Sequence, residues 1–119
     1  MTLAKLGTIP GAGLPIRVTA SPDGKRVVVT NANGGKLQVV DPSKRTVTAT
    51  ISFPSDPRSL PPGAPGVVPI GTVITPDGKT AYVSLLVSGT VAVVDLDAGK
   101  IVHELLAGEA PDGIALAIL

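Results

Sequence analysis

Two stretches of the chain share one pattern: they read SPDGKRVVVTN at 21–31 and TPDGKTAYVSL at 75–85. In each, a proline, an aspartate and a glycine precede a run that contains valine and threonine, which is the chemistry of a β-hairpin turn. Proline presets its own φ angle, the aspartate side chain bonds to the turn backbone, and glycine takes the positive φ. The pattern therefore predicts two hairpins that belong to a repeated unit.

The repeat extends well beyond these turns. Asp23 and Asp77 are 54 positions apart (77 − 23), and the same offset joins Pro15 to Pro69 (69 − 15) without a gap. From Pro69 to the next matching proline, Pro111, the offset is only 42 (111 − 69), because a proline-rich insertion follows the first unit. A unit of about 40 residues with four short strands is typical of one blade of a β-propeller.

The predicted fold class is all-β, with two complete β-propeller blades that are each a four-stranded antiparallel sheet. The apolar runs at 27–29 and 91–94 are continuous, which indicates strands with two buried faces, as between neighbouring blades. A β-sandwich is the alternative, although gap-free repetition favours the propeller. The predicted organisation is an outer strand of an incomplete blade with a loop (1–14), blade 1 (15–53), a proline-rich loop (54–68), blade 2 (69–107) and the first strand of a further blade (108–119).

Composition excludes several classes of function. The 119 residues are 44% hydrophobic, enough for a core, and their ten basic and nine acidic residues form no basic cluster. Nucleic-acid binding is therefore disfavoured. Cysteine is absent from the sequence, which excludes disulfides and thiolate metal sites. The sequence predicts no membrane span, because no apolar run approaches the roughly 20 residues that a span needs. It predicts no signal peptide, because residues 1–7 lack an apolar core.

Few residues suggest catalysis. Asp23 and Asp77 could be paired acids, but each precedes a glycine, Gly24 or Gly78, in a predicted turn, and we expect both aspartates to be structural. The single histidine, His103, is expected on an exposed outer strand with no second ligand at metal-binding spacing. The sequence therefore predicts a non-enzymatic protein with no metal and no cofactor.

Loops at one end of the blades are the predicted place for ligand binding, because they gather around the channel of a propeller. The alternative, that these are ordinary solvated loop residues, stays open. The candidate ligand-binding residues are Arg17, Asn31, Asn33, Asp56 and Arg58.

The second strands of both units resemble the YVTN repeat of β-propellers, a WD-like repeat named for a Tyr-Val-Thr-Asn core. Here the core reads VVTN at 28–31 and YVSL at 82–85, and the third strands end in VVD at 39–41 and 93–95. Proteins similar to this include surface-layer or secreted proteins, propeller parts of periplasmic oxidoreductases and related lyases. The resemblance implies an extracytoplasmic location, periplasmic or secreted, although no signal peptide is recognised.

Two blades do not close a ring, which takes four to eight. The expected function is a scaffold or binding module whose partners are copies of itself, in a homo-oligomeric ring, or the rest of a longer propeller. The first alternative is a fragment of an extracytoplasmic propeller enzyme, an oxidoreductase subunit or a lyase. A surface-layer or adhesion module is the second.

Overall fold

The computed structural model of the chain describes residues 2–54, 62–64 and 66–118. Within them, eight strands form two antiparallel four-stranded sheets, each in sequential order, which confirms the predicted fold class. Blade 1 contains β1 (Pro15–Ala20), β2 (Val27–Asn31), β3 (Lys36–Asp41) and β4 (Thr46–Ser52). Blade 2 contains β5 (Pro69–Ile74), β6 (Thr80–Leu85), β7 (Thr90–Asp95) and β8 (Lys100–Leu106).

The first hairpin turn of each blade is built from the same hydrogen bonds. In blade 1, Asp23 Oδ1 accepts from the Ser21 hydroxyl at 2.6 Å and from the Lys25 N–H at 3.0 Å. Gly24 completes the turn with a φ of 72°, a conformation that glycine adopts without strain. Asp77 makes the corresponding two bonds in blade 2. These turns set the register of β1 with β2 and of β5 with β6.

The core lies between the two blades. Because side chains alternate across a strand, every second residue of β2 and β3 points to blade 2, and every second residue of β6 and β7 points to blade 1. These aliphatic side chains are almost fully buried and form one cluster, and burying each valine or leucine contributes roughly 1.5–3 kcal/mol. The cluster includes Val28, Leu37 and Val39 of blade 1 with Ala81, Val83, Ala92 and Val94 of blade 2.

The intervening valines are only half-buried. They include Val27 and Val29 on β2 and Val91 and Val93 on β7. The continuous apolar runs predict burial on both faces, whereas each blade has one neighbouring blade in this structure. One face of each blade consequently has no neighbouring blade among the described residues, and on blade 1 the N-terminal segment covers part of that face.

The segments at either end lie outside both sheets. Neither 2–14 nor the described 107–118 is part of a strand ladder, because a ladder needs an adjacent strand and neither blade supplies one at those positions. The predicted outer strand within 1–14 and the predicted first strand within 108–119 stay predictions.

Acid should destabilise this fold. Hydrogen bonds, first of all from a hydroxyl two positions away, hold the pKa of Asp23, Asp41 and Asp77 below the ordinary value of 3.8. The unfolded chain therefore takes up protons at a higher pH than the folded chain. The stability that these carboxylates contribute is complete above their unfolded pKa and is lost as the pH falls through their lower folded pKa.

Urea unfolding between about pH 6 and pH 2 measures this loss. A triple Asp→Asn variant at the three positions is the control, and we expect its free energy of unfolding to change less with pH. An equally steep pH dependence in the variant would contradict the assignment.

Candidate functional site

A hydroxyl group on the second strand of blade 1 joins that blade to blade 2. Thr30 on β2 is fully buried. Its Oγ1 accepts a hydrogen bond from the Arg17 N–H of β1 at 3.2 Å and donates one to the Ile70 carbonyl of β5 at 2.8 Å. One side chain thus connects the first strand of its own blade to the first strand of the next.

Ser84, on β6, makes the corresponding bonds 54 positions later (84 − 30). Its Oγ accepts from the Gly71 N–H at 2.8 Å and donates to the Asp112 carbonyl at 2.6 Å. Asp112 belongs to the C-terminal segment 111–118. Asp112 is therefore bonded to blade 2 in the same way as Ile70 of β5 is bonded to blade 1.

Together these bonds form a continuous chain, which we call the hydroxyl relay. It is continuous because the Ile70 carbonyl and the Gly71 N–H belong to one peptide unit, which accepts on one side and donates on the other. Hydrogen bonds in such a chain polarise and strengthen one another. The relay runs through the Arg17 N–H, the Thr30 hydroxyl, the Ile70–Gly71 peptide, the Ser84 hydroxyl and the Asp112 carbonyl.

Glycine at position 71 is required by this close approach. A Cβ at Gly71 would lie 2.0 Å from the Asp112 carbonyl oxygen and 2.9 Å from Ser84 Oγ. Neither distance is compatible with a methyl group. The relay therefore depends on the absence of a side chain at this position.

The chain approaches segment 111–118 as it approaches β5. Val68, before Pro69, has a φ of 53°, and Ala110, before Pro111, has a φ of 49°. A left-handed conformation is uncommon for residues other than glycine and is costly for valine. The two residues are 42 positions apart (110 − 68), the offset between their prolines. The segment thus repeats the backbone path of a first strand.

Segment 111–118, β1 and β5 border a polar groove of about 340 Å³. Its lining residues include Arg17, Thr19, Thr72 and Asp112. The Thr19 hydroxyl donates to the Thr72 carbonyl at 3.3 Å, and Thr72 Oγ1 is buried with no hydrogen-bond partner among the described atoms.

A buried amide pair holds the N-terminal segment on blade 1. The Ala12 N–H donates to Asn31 Oδ1 at 3.0 Å, and Asn31 Nδ2 donates to Gln38 Oε1 at 3.1 Å. Gln38 Nε2 in turn donates to the Pro10 carbonyl at 3.1 Å. Asn31 and Gln38 are both buried. Their amides bond to each other and to the N-terminal segment, and Gln38 also lines a groove of about 440 Å³.

The candidate ligand-binding residues are not brought together within the described part of the chain. Arg17 is exposed in the polar groove, Asn31 is buried in the amide pair, and Asn33 is exposed in the turn after β2. Asp56 and Arg58 lie outside the described residues. Of this set, Arg17 is the one placed in the groove.

Apart from Arg17, which is a candidate for a different reason, the sequence pattern does not single out the residues of the relay. Thr30 and Ser84 carried a usable signal, since both bear a hydroxyl at the 54-residue offset within otherwise apolar strands. Gln38 was also visible as a polar residue among buried aliphatic ones. Ile70 and Asp112 take part through backbone carbonyls, and no side-chain pattern identifies such a role.

An ion pair joins the blades at the opposite end. Arg26 contacts the carboxylate of Asp97 and also donates from Nη1 to the Gly78 carbonyl at 2.9 Å. The two charged side chains are 30% and 54% exposed. A pair so exposed contributes about 0–1 kcal/mol, so it orients the blades more than it stabilises them.

Metal-binding groups do not converge in the described ranges. Histidine, cysteine, aspartate and glutamate side chains form no group of three there that could hold an ion. His103 is exposed on β8. The same residues contain no helix of the length and apolarity needed to cross a membrane.

No protein-family model and no curated protein sequence matches this chain. It is similar to the structure of hydrazine synthase from Kuenenia stuttgartiensis, with a TM-score of 0.72 and 28% identity over 92% of this chain and 28% of that one. It is also similar to the β-propeller domain of Cps50 (Swd1) from Myceliophteria thermophila, with a TM-score of 0.72 and 16% identity over 92% of this chain and 30% of that one. The chain is a β-propeller module.

A third similar structure is that of U3-55K, with a TM-score of 0.68 and 11% identity over 86% of this chain and 29% of that one. At such identity, likeness shows the fold alone. The module spans less than a third of each of the three proteins.

Replacing Gly71 with alanine should detach segment 111–118. The methyl group would displace the Asp112 carbonyl and the Ser84 hydroxyl, so we expect a loss of about 1–3 kcal/mol and faster amide hydrogen exchange in the segment. Gly113→Ala is the matched control, because no described atom lies within 4 Å of a Cβ at that position. Urea unfolding and NMR-detected exchange compare the two variants. Equal effects would show that the close approach at Gly71 is unimportant.

Proposed function

We propose that this β-propeller module is a non-enzymatic scaffold and binding module that is completed blade to blade, by copies of itself in a ring or by further blades of a longer propeller. The YVTN-type resemblance is part of this proposal. The proposal rests on one observation. The two outward faces of the module have the same residue pattern as the two faces that pack together between the blades. The polar groove beside Arg17 is the binding site that we propose for such a module.

The face of blade 1 that points away from blade 2 is here called the rear face. It carries Val27 and Val29, which are half-buried, and Gln38 and Val40, which are buried, and the N-terminal segment bonds to Gln38. Positions 54 residues later are Ala81, Val83, Ala92 and Val94, which are buried against blade 1. The rear face borders a mainly apolar groove of about 440 Å³. A surface of this kind favours burial against a partner.

The open face of blade 2, here called the front face, carries Tyr82, Val91 and Val93. Positions 54 residues earlier are Val28, Leu37 and Val39, which form the blade 1 side of the core. Front and rear faces thus correspond to the two halves of one existing interface. This supports head-to-tail packing of further blades on both sides of the module.

Segment 111–118 bears on which form of completion is used. Its Asp112 carbonyl already accepts a hydrogen bond from the Ser84 hydroxyl. The segment thus occupies the position beside blade 2 that β5 occupies beside blade 1. A second copy packed on the front face would bring its own β1 (Pro15–Ala20) to the same place. A simple ring of copies therefore requires the segment to move, whereas a further blade that uses the segment as its first strand does not. This favours the longer propeller.

Self-assembly is tested by the solution mass of the isolated chain. If copies associate, light scattering should give a multiple of 11.9 kDa. Val29→Lys should then reduce the mass to that of one chain, because the rear face cannot bury an unpaired charge. A matched control is Val102→Lys on β8, where the side chain is 51% exposed, and its mass should not change.

Deletion of residues 109–119 separates the two forms of completion. A ring of copies predicts stronger association after the deletion, because the place of β1 becomes free. A longer propeller predicts no gain in association and a less stable blade 2. A folded species near 11.9 kDa in all these variants would rule out assembly of copies.

A fragment of a propeller enzyme is the second candidate, supported by the likeness to hydrazine synthase. Catalytic groups would then come from other segments, since the described residues gather no metal-binding group. An antibody against this chain, used on its native cells, should then detect a polypeptide longer than 11.9 kDa. Detection of an 11.9 kDa species alone would count against this candidate.

A further inference from the structure

The hydroxyl relay ends at Asp112 with one group unused. The Asp112 carbonyl accepts from Ser84, and the N–H of the same peptide unit belongs to Gly113. In blade 2, the corresponding N–H of Gly71 donates to Ser84 Oγ. Within the described residues, the Gly113 N–H makes no hydrogen bond. The relay therefore presents a free donor at its C-terminal end.

The space around this donor is also open. At Gly71, a Cβ would meet Ser84 Oγ and the Asp112 carbonyl, whereas no described atom lies within 4 Å of a Cβ at Gly113. Beside Gly71, the hydroxyl comes from the second strand of its own blade and the carbonyl from the next first strand. No described atom takes either position beside Gly113.

The relay has a corresponding acceptor at its other end. Ile16 precedes Arg17 as Ile70 precedes Gly71, and its carbonyl is the equivalent of the one that Thr30 bonds. In this structure the Ile16 carbonyl accepts from the Arg17 guanidinium, at 3.3 Å from Nη1. The side chain of Arg17 thus takes the place that a hydroxyl from a preceding blade would fill.

We infer that the blade completing the front face docks through a second strand whose serine or threonine accepts from the Gly113 N–H. This inference rests on the proposed blade-to-blade completion and specifies the partner's chemistry. The partner is a β-strand of the type of β2 and β6, with a hydroxyl eight positions after the turn proline (30 − 22; 84 − 76). Serine and threonine are suited to this position because one hydroxyl accepts and donates at once.

Several separate features favour this partner over an arbitrary strand. The segment has the backbone approach of a first strand at Ala110 and Pro111. Its carbonyl is already bonded as the carbonyl of β5 is bonded. Addition of a strand to its edge would satisfy its unpaired backbone groups. The docking surface is thus continuous with the existing interface between the blades.

The test uses the full chain and a labelled synthetic hairpin of residues 75–96, which contains β6 and β7. A matched peptide differs by Ser84→Ala alone. Fluorescence anisotropy should show about five-fold tighter binding of the serine peptide, the worth of roughly one hydrogen bond. NMR should show slower hydrogen exchange at the Gly113 amide with the serine peptide than with the alanine peptide.

A second format avoids the weak folding of an isolated hairpin. Residues 77–106 are appended after Ile118, which matches position 76 at the 42-residue offset (118 − 76). The appended copy of Ser84 is either serine or alanine. The serine version should unfold at a higher urea concentration than the alanine version, and hydrogen exchange at its Gly113 amide should be slower.

Equal stability and equal protection of Gly113 in both versions would overturn the hydroxyl rule and leave blade-to-blade completion standing. The inference would also be overturned if neither the serine peptide nor the serine version of the extended chain slowed hydrogen exchange at the Gly113 amide. The solution mass of the unmodified chain tests self-assembly independently of these experiments.

Discussion

The joining of the two blades depends on a hydroxyl that bonds in two directions at once. Thr30 is fully buried, and without its Oγ1 an N–H of β1 and a carbonyl of β5 would both lose their partner. Leaving such buried groups unpaired costs about 1–3 kcal/mol each. The aliphatic core supplies most of the attraction between the blades, but it is non-directional. The relay determines how one first strand lies against the next.

Much of the fold follows from chemistry that is local in the sequence. The Pro-Asp-Gly turns predict where β1 turns into β2, and the repeat at 54 positions assigns the same role to Asp77 as to Asp23. The relay could not be predicted this way. Ile70 and Asp112 contribute backbone carbonyls, which every residue has, so their role appears only when distant strands are placed side by side.

The role of Asn31 is a second feature that the sequence pattern does not determine. As a polar residue at the end of β2 it is a candidate for ligand binding, and its 54-residue equivalent is the apolar Leu85. The structure places both side chains in buried surroundings, one bonded to Gln38 and the N-terminal segment and the other packed in the core. The polar Asn31 thus marks the blade face that the N-terminal segment covers. The apolar Leu85 marks the blade face that the other blade covers.

The relay also has a direction, with a donor N–H at Gly113 and an acceptor carbonyl at Ile16. Two modules that met front to front would bring donor against donor and front face against front face, and two that met rear to rear would oppose acceptors. Isologous two-fold dimers through these faces are therefore disfavoured, and heterologous contacts are favoured. Heterologous contacts either close into a ring or continue as an open filament. The position of one glycine amide thus gives the module a chemical polarity, and the blade-to-blade completion that we propose would proceed in a single sense around the axis.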